Sequence, residues 1–158
     1  MLLRRIEERD LPALASGLAR LPLMERYRRS EEKLGADLRA AVERGDGLIG
    51  AEVGGALSGF CWFLRHGTLG MGGYLKLIAV LDGAQGRGAG AALLGAYETE
   101  VARASAHGFL LVSDFNEPAQ RFYERHGWSR VGAIPKLVLP DVDELVYWKR
   151  LRPPPPPT

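Results

Sequence analysis

One stretch of the chain, residues 74–94, restricts its fold more than any other. An apolar run from Leu75 to Leu81 has the composition of a buried strand, and a glycine-rich turn from Gly83 to Gly90 follows it. The turn leads directly into an Ala- and Leu-rich helix. A strand that enters a helix through glycines directs several backbone N–H groups, and the positive end of the helix, toward one point. This arrangement predicts an anion site, most often one for phosphate.

Composition limits the class of protein. A chain of 158 residues forms one domain that can bury a core, and 46% hydrophobic with 25% charged residues is ordinary for a globular protein. A net charge of +2 predicts no nucleic-acid partner. No apolar stretch approaches the roughly 20 residues of a membrane span, and the N-terminus lacks a signal sequence, so we expect no membrane partner and a cytoplasmic location. The single cysteine, Cys61, excludes a multi-cysteine metal site; we expect it in the core, and we expect no metal.

Periodicity and turn signals predict the order β-α-α-β-β-β-α-β-α-β-β. Asp10 and Ser30 have the chemistry of helix caps, and Gly54-Gly55 fits the turn of a tight hairpin. The order predicts an α/β fold of the α+β type, in which a central, mostly antiparallel mixed sheet contains a parallel β4-α-β5 crossover. This crossover runs from the predicted strand at Tyr74–Leu81, through the helix after the glycine turn, to the predicted strand that begins at Phe109. We assign residues 1–151 to a single domain and residues 152–158 to a proline-rich disordered tail.

The glycine turn is compatible with more than one phosphate carrier. A Walker A loop requires a lysine, and the turn contains none. The run Gly86-Arg87-Gly88-Ala89-Gly90-Ala91 also matches the dinucleotide pattern G-x-G-x-x-A, with Asp114 near the end of the next strand. Dinucleotide domains continue with further βα units, however, and here only one short helix and an antiparallel pair remain. A purely structural turn is another interpretation, in which glycine serves only close packing. Such a turn would need fewer small residues than this one contains.

A third interpretation begins at Gln85. The run Gln85-Gly86-Arg87-Gly88-Ala89-Gly90 has the form Q-x-x-G-x-G, and about 26 residues later Asn116 precedes a predicted helix that ends in Tyr123-x-x-x-Gly127-Trp128. With these two motifs and this element order, the chain resembles the GNAT (GCN5-related) N-acetyltransferase superfamily over nearly its whole length. In that family the first motif binds the pyrophosphate of acetyl-coenzyme A. The resemblance also implies a V-shaped splay between the parallel strands.

The resemblance implies the cofactor contacts residue by residue. Acetyl-CoA is expected as the co-substrate, with its pyrophosphate on the backbone N–H groups of the turn and its pantetheine arm on the main chain of the preceding strand. Arg87 can add a charge-assisted contact to phosphate. Asn116 is expected to contact the cofactor, and its alternative role is that of a plain helix cap. The expected cofactor-binding residues are Ile78, Ala79, Val80, Gln85, Gly86, Arg87, Gly88, Ala89, Gly90, Ala91 and Asn116.

Acetyl transfer to an amine requires removal of a proton from the amine, a donor for the oxyanion of the tetrahedral intermediate and a proton for the leaving thiolate. By resemblance, Tyr123 is the general acid and the N–H of Val80 the oxyanion donor; Tyr123 could equally be a core aromatic. Several family members carry a base glutamate at the position of Leu111, which cannot accept a proton. Asp114 is therefore the first candidate base. Weaker candidates are Glu52, Asp143 and Glu144.

The sequence predicts an acetyl-CoA-dependent N-acetyltransferase that acts on a primary amine of a small molecule or peptide by direct attack. A catalytically silent acyl-CoA-binding sensor or scaffold is the alternative, because the strand glutamate is missing. A dinucleotide oxidoreductase is a more remote third hypothesis. The sequence does not identify the acceptor amine, and it leaves open whether two copies of the chain form a homodimer. The predicted acceptor-lining residues, which could also belong to the core, are Arg26, Tyr27, Arg28, Trp62 and Tyr74.

Overall fold

The structure is a computed structural model that describes residues 1–81, 83–153 and 156. Asp82 of the glycine turn lies outside the described residues, as do Pro154, Pro155, Pro157 and Thr158 of the predicted disordered tail. The strands are β1 Leu2–Arg5, β2 Gly47–Val53, β3 Ala56–Thr68, β4 Gly72–Val80, β5 His107–Ser113, β6 Ser129–Ile134 and β7 Glu144–Arg150. The helices are α1 Leu11–Ala19, α2 Pro22–Arg26, α3 Glu31–Arg44, α4 Ala89–Ala102 and α5 Glu117–Arg125.

The strands form a seven-stranded sheet in the order β1-β2-β3-β4-β5-β7-β6. Strand β4 pairs with β5 in parallel, whereas β1–β2, β2–β3, β5–β7 and β6–β7 are antiparallel. The mixed sheet and the β4-α4-β5 crossover confirm the predicted fold class. In the described residues the β4–β5 register ends at Leu75 and Leu110, although β4 continues to Val80 and β5 to Ser113.

The chain divides into two compact units, to both of which β3, β4 and α4 contribute residues. The first unit comprises Met1–Phe63 and Leu77–Ala96. Its helix α3 begins at Ser30, whose hydroxyl accepts a hydrogen bond from Lys33 N–H at 3.2 Å, and ends at Gly45 with φ 75°. The core of this unit packs α1 and α3 against strand residues. Its members include Leu14, Leu18, Leu34, Leu38, Leu48, Phe60, Trp62 and Ala79.

The second unit comprises Leu64–Lys76 and the described residues from Tyr97 onward. The phenol of Tyr97 is fully buried and bonds to the carbonyls of Gly73 at 3.2 Å and Phe109 at 3.3 Å. Glu98 accepts hydrogen bonds from Trp128 Nε1 and Lys149 Nζ, each at 2.9 Å. These contacts connect the end of α4 to the segment after α5 and to β7.

Several elements differ from the bounds that the sequence predicts. Pro22 in the segment from Leu21 to Arg29 predicts a loop or broken helix there, and the segment contains the short helix α2. The apolar run from Leu57 predicts a strand that ends at Leu64, but β3 extends to Thr68. The sequence predicts that the helix after the glycine turn runs to about Ala106, but α4 ends at Ala102, and just beyond it the Ser105 hydroxyl donates a hydrogen bond to the Met71 carbonyl. Asp10 precedes α1 as predicted, but its side chain makes no cap bond.

Two smaller predictions are confirmed in the first unit. Gly54 and Gly55, with φ of 62° and 80°, form the turn between β2 and β3. Cys61 is fully buried, and its thiol lies 3.6 Å from the Leu93 carbonyl. Among the described residues, no helix has both the length and the apolar character that crossing a membrane requires.

Candidate active site

The glycine turn of the first unit has the backbone that only glycine adopts readily. Gly83, Gly86 and Gly88 have φ of 79°, 76° and 77°, in the left-handed region. Among the described residues, and apart from its chain neighbours, nothing lies within 4 Å of a Cβ placed on any of the three. Glycine is therefore required at these positions by backbone conformation and not by a lack of space.

Helix α4 begins immediately after the turn and presents its first amides there. The first helical bond runs from Ala92 N–H to the Gly88 carbonyl at 3.1 Å. The N–H groups of Ala89, Gly90 and Ala91 precede that bond, so the helix supplies no acceptor for them. An anion at this end would interact with these amides and with the positive end of the helix. The turn thus has the donor set of a phosphate cradle.

The side chains of the turn differ in their exposure to solvent. Gln85, Arg87 and Ala91 are exposed, whereas Ala89 is buried and anchors the helix start. The Arg87 side chain is therefore on the surface of the turn. Before the turn, Ala79 is buried, and Ile78 and Val80 are half-buried at the end of β4.

In the second unit, Asn116 caps helix α5. Its side-chain oxygen accepts a hydrogen bond from Ala119 N–H at 3.3 Å, and Pro118 occupies the first turn. The cap role that the sequence left as an alternative is therefore present. The cap bond uses Oδ1 and does not involve the Nδ2 group.

Tyr123 lies in an aromatic cluster near the end of α5. Its side chain is 9% exposed, and its ring centroid lies 6.3 Å from those of Trp128 and Tyr147 and 5.2 Å from that of Phe122. Tyr147 donates a hydrogen bond to Glu124 at 2.9 Å, and burial raises the pKa of Tyr147 to about 12. The cluster fixes the Tyr123 ring, as either a general acid or a core aromatic requires.

Asp114 follows β5 and makes a main-chain contact. Its carboxylate accepts a hydrogen bond from Asp143 N–H at 3.1 Å, while its own N–H donates to the Asp143 carbonyl at 2.9 Å. The side chain is exposed. The carboxylate therefore holds the residue before β7 in place.

The weaker base candidates occupy different settings. Glu52 accepts a hydrogen bond from Arg4 Nε at 2.6 Å, so it belongs to an ion pair. Asp143 accepts one from Lys136 N–H at 3.2 Å. Glu144 is buried at the start of β7, opposite Ser113 of β5. Burial, and then the negative charge of Glu144, raise the pKa of Tyr74. The two side chains therefore interact electrostatically.

The first unit also contains a predicted lining residue and two clefts. Trp62, one of the predicted lining residues, is buried in the first unit's core and donates a hydrogen bond to Asp46 at 2.8 Å. Two clefts of about 260 and 280 Å³ between α1 and α3 share Leu11, Pro12 and Arg39. The described residues contain no group of three or more His, Cys, Asp or Glu side chains that could hold a metal.

The sequence alone missed the contacts of Gly59 on β3. A Cβ at Gly59 would lie 2.7 Å from the Ala79 carbonyl oxygen, in the segment before the glycine turn. The available signal was a lone glycine inside an apolar strand, which often marks a close backbone approach.

Comparisons with known proteins agree with this geometry. The acetyltransferase (GNAT) family profile matches residues 11–128. No curated protein matches the chain. Among solved structures, aminoglycoside 6′-N-acetyltransferase complexed with coenzyme A has a TM-score of 0.78 at 19% identity, covering 98% of this chain and 99% of that one.

Two further structures show the same fold. yncA from Salmonella typhimurium, with its cofactor acetyl-CoA, has a TM-score of 0.75 at 15% identity, covering 100% of this chain and 98% of that one. Ribosomal-protein-alanine N-acetyltransferase from Brucella melitensis has a TM-score of 0.73 at 18% identity, covering 95% and 99%. Since the family profile spans most of the chain and the glycine turn and crossover fall within it, the chain belongs to the GNAT acetyltransferase family.

Proposed function

We propose that this protein is an acetyl-CoA-dependent N-acetyltransferase that moves the acetyl group to a primary amine of a small molecule or peptide. The observation that carries the proposal is the glycine turn. Its left-handed glycines and the first amides of α4 form an open cradle that suits a pyrophosphate. The acetyl-CoA and coenzyme A complexes of the structural neighbours support the choice of this phosphate carrier.

Each part of acetyl-CoA has a proposed partner. The N–H groups from Gly86 to Ala91 bind the pyrophosphate, together with the exposed Arg87 and Gln85. The main chain of Ile78, Ala79 and Val80 holds the pantetheine arm, with Val80 N–H as the oxyanion donor. Asn116 contacts the cofactor through Nδ2, since Oδ1 is used by the helix cap.

The reaction needs no covalent enzyme intermediate. The neutral amine attacks the thioester carbonyl, the C–N bond forms and the C–S bond breaks. The thiolate takes a proton from Tyr123, and the proton lost by the amine goes to a base and returns to the phenolate through solvent. The aromatic cluster supports this role because it holds the Tyr123 ring in one place.

Asp114 is the proposed base, acting directly or through water. Its contact with Asp143 N–H uses one carboxylate oxygen, so the other oxygen can accept a proton. An acceptor amine with a low pKa, such as a peptide N-terminus, would need this help least.

A second candidate function is an acyl-CoA-binding module without catalysis. It is favoured by Leu111 at the position of the family's strand glutamate and by the anchoring contact of Asp114. Release of coenzyme A from acetyl-CoA over a panel of amines separates the two functions. The panel should include an aminoglycoside and an alanine-starting peptide, because structural neighbours carry these activities in their names. Release with any amine supports the enzyme, and binding without release supports the module.

A further inference from the structure

A β-bulge lies in β3 beside the end of β4. The β2–β3 register pairs Ala51 with Gly59 and Glu52 with Leu57, so it skips Ser58. The Ser58 carbonyl accepts a hydrogen bond from Leu81 N–H at 2.8 Å. The bulge therefore binds the residue that follows β4, immediately before the glycine turn.

The next residue, Gly59, allows the two backbones to approach more closely than a side chain would permit. An added Cβ would lie 2.7 Å from the Ala79 carbonyl oxygen and 3.4 Å from Val80 Cα, and real Cβ atoms essentially never come within 3.0 Å. The atom in its way belongs to the backbone, so it cannot move aside as a flexible side chain can. Ala79 is itself buried in the core formed with α1 and α3.

The backbone conformation of residue 59 does not explain why this residue is a glycine. Gly59 does not have the left-handed φ that the glycines of the turn have, so alanine could adopt its conformation. Space alone excludes a side chain. Any residue larger than glycine would displace the main chain of Ala79 and Val80.

We propose that Gly59 is a positioning residue for acetyl-CoA. Its missing side chain sets the end of β4 where the main chain of Ala79 and Val80 can hold the pantetheine arm and the thioester carbonyl. The inference rests on the proposed function. Gly59 itself touches neither ligand nor reacting atoms, and it acts through the backbone of β4.

The test compares two ligands on the variant Gly59→Ala by calorimetry. Acetyl-CoA engages both the strand and the glycine turn, whereas adenosine 3′-phosphate 5′-diphosphate, its nucleotide half, reaches only the turn. We expect Gly59→Ala to weaken acetyl-CoA binding about tenfold, as loss of one or two main-chain hydrogen bonds would. Binding of the nucleotide half should stay unchanged.

Gly50→Ala is the matched control. Its added Cβ would also lie close to other atoms, at 2.6 Å from Leu57 Cδ1 and 2.7 Å from Ile6 Cδ1, but both are ends of flexible side chains. This variant should bind both ligands as the wild type does. The control therefore distinguishes the effect of crowding a strand against movable side chains from the effect of displacing the β4 main chain.

Other outcomes overturn the inference. Wild-type acetyl-CoA affinity in Gly59→Ala would show that the strand tolerates the methyl group. An equal loss for both ligands, or a variant that does not fold by circular dichroism, would show that Gly59 serves the fold as a whole. If the wild-type protein binds neither ligand, the proposed function fails first, and this inference with it.

Discussion

Asp114 and Asp143 exchange two hydrogen bonds at the end of β5. The Asp114 carboxylate accepts from Asp143 N–H at 3.1 Å, and Asp114 N–H donates to the Asp143 carbonyl at 2.9 Å. The residue proposed as the base therefore also fixes the residue before β7. Any substitution at Asp114 tests both roles, and the two can be separated by the choice of replacement.

Asp114→Asn should keep the anchor and lose the base, because the amide oxygen still accepts from Asp143 N–H. We expect kcat at neutral pH to fall about 100-fold or more with little change in the melting temperature. Asp114→Ala should lose both, with about 1 kcal/mol of stability removed as well. Wild-type kcat in Asp114→Asn would leave Asp114 with the anchoring role alone.

Tyr123→Phe should slow acetyl transfer without weakening acetyl-CoA binding, since it removes the hydroxyl group that would protonate the leaving thiolate and keeps the aromatic ring. The expected loss in kcat is about 100-fold or more. Steady-state kinetics together with calorimetry measures both quantities. Tyr147→Phe is the control, because its hydroxyl bonds to Glu124 in the same cluster. It should cost about 1 kcal/mol of stability and leave kcat near the wild-type value; an equal effect of the two variants on kcat would argue for a packing role of Tyr123.

Gly88→Ala should weaken acetyl-CoA binding through the backbone of the turn. Its φ of 77° costs an alanine about 1–2 kcal/mol, which the chain can avoid only by changing the turn. Gly54→Ala is a matched control, since Gly54 has φ 62° in the β2–β3 hairpin and likewise has nothing within 4 Å of an added Cβ. Both variants should lose similar stability in urea unfolding. If Gly88→Ala binds acetyl-CoA as tightly as Gly54→Ala does, the turn is not the pyrophosphate site.

Asp10 should make stability depend on acidic pH. The hydrogen bond from Arg4 lowers the pKa of its carboxyl group in the folded state, and the Glu7 N–H adds to the effect while burial opposes it. A lowered folded pKa gives stability that is present above the usual aspartate value of about 3.9 and is lost as pH falls through the folded value. Urea unfolding of the wild type and Asp10→Asn between neutral pH and pH about 3 measures this. The difference in free energy of unfolding should shrink as pH falls, and a constant difference would contradict the assignment.

Apart from the short helix α2, the element order could be predicted from the sequence because periodicity and glycine turns are local signals. Gly54-Gly55 and the capping Ser30 behave as their chemistry requires. Helix α4 ended earlier than its local pattern predicts. The Ser105 hydroxyl just beyond α4 donates to the Met71 carbonyl, a contact that spans 34 residues and that a local pattern does not contain.

The candidate site was predictable where it depends on backbone conformation. The left-handed φ values of Gly86 and Gly88 fit the glycines of the motif. Roles that depend on distant partners were not predictable. The ion pair of Glu52 with Arg4 spans 48 residues, and the core position of Trp62 depends on packing against two helices. The approach of Gly59 to Ala79 is also a long-range contact, and a single strand glycine does not specify it.

A calorimetric titration with acetyl-CoA, with NADH as the competing dinucleotide, tests the central claim most directly. The account predicts saturable one-to-one binding of acetyl-CoA and no binding of NADH, because the turn is assigned to a coenzyme A pyrophosphate. Absence of acetyl-CoA binding at about 1 mM, the upper end of typical KM values, would contradict the account. So would saturable binding of NADH in its place.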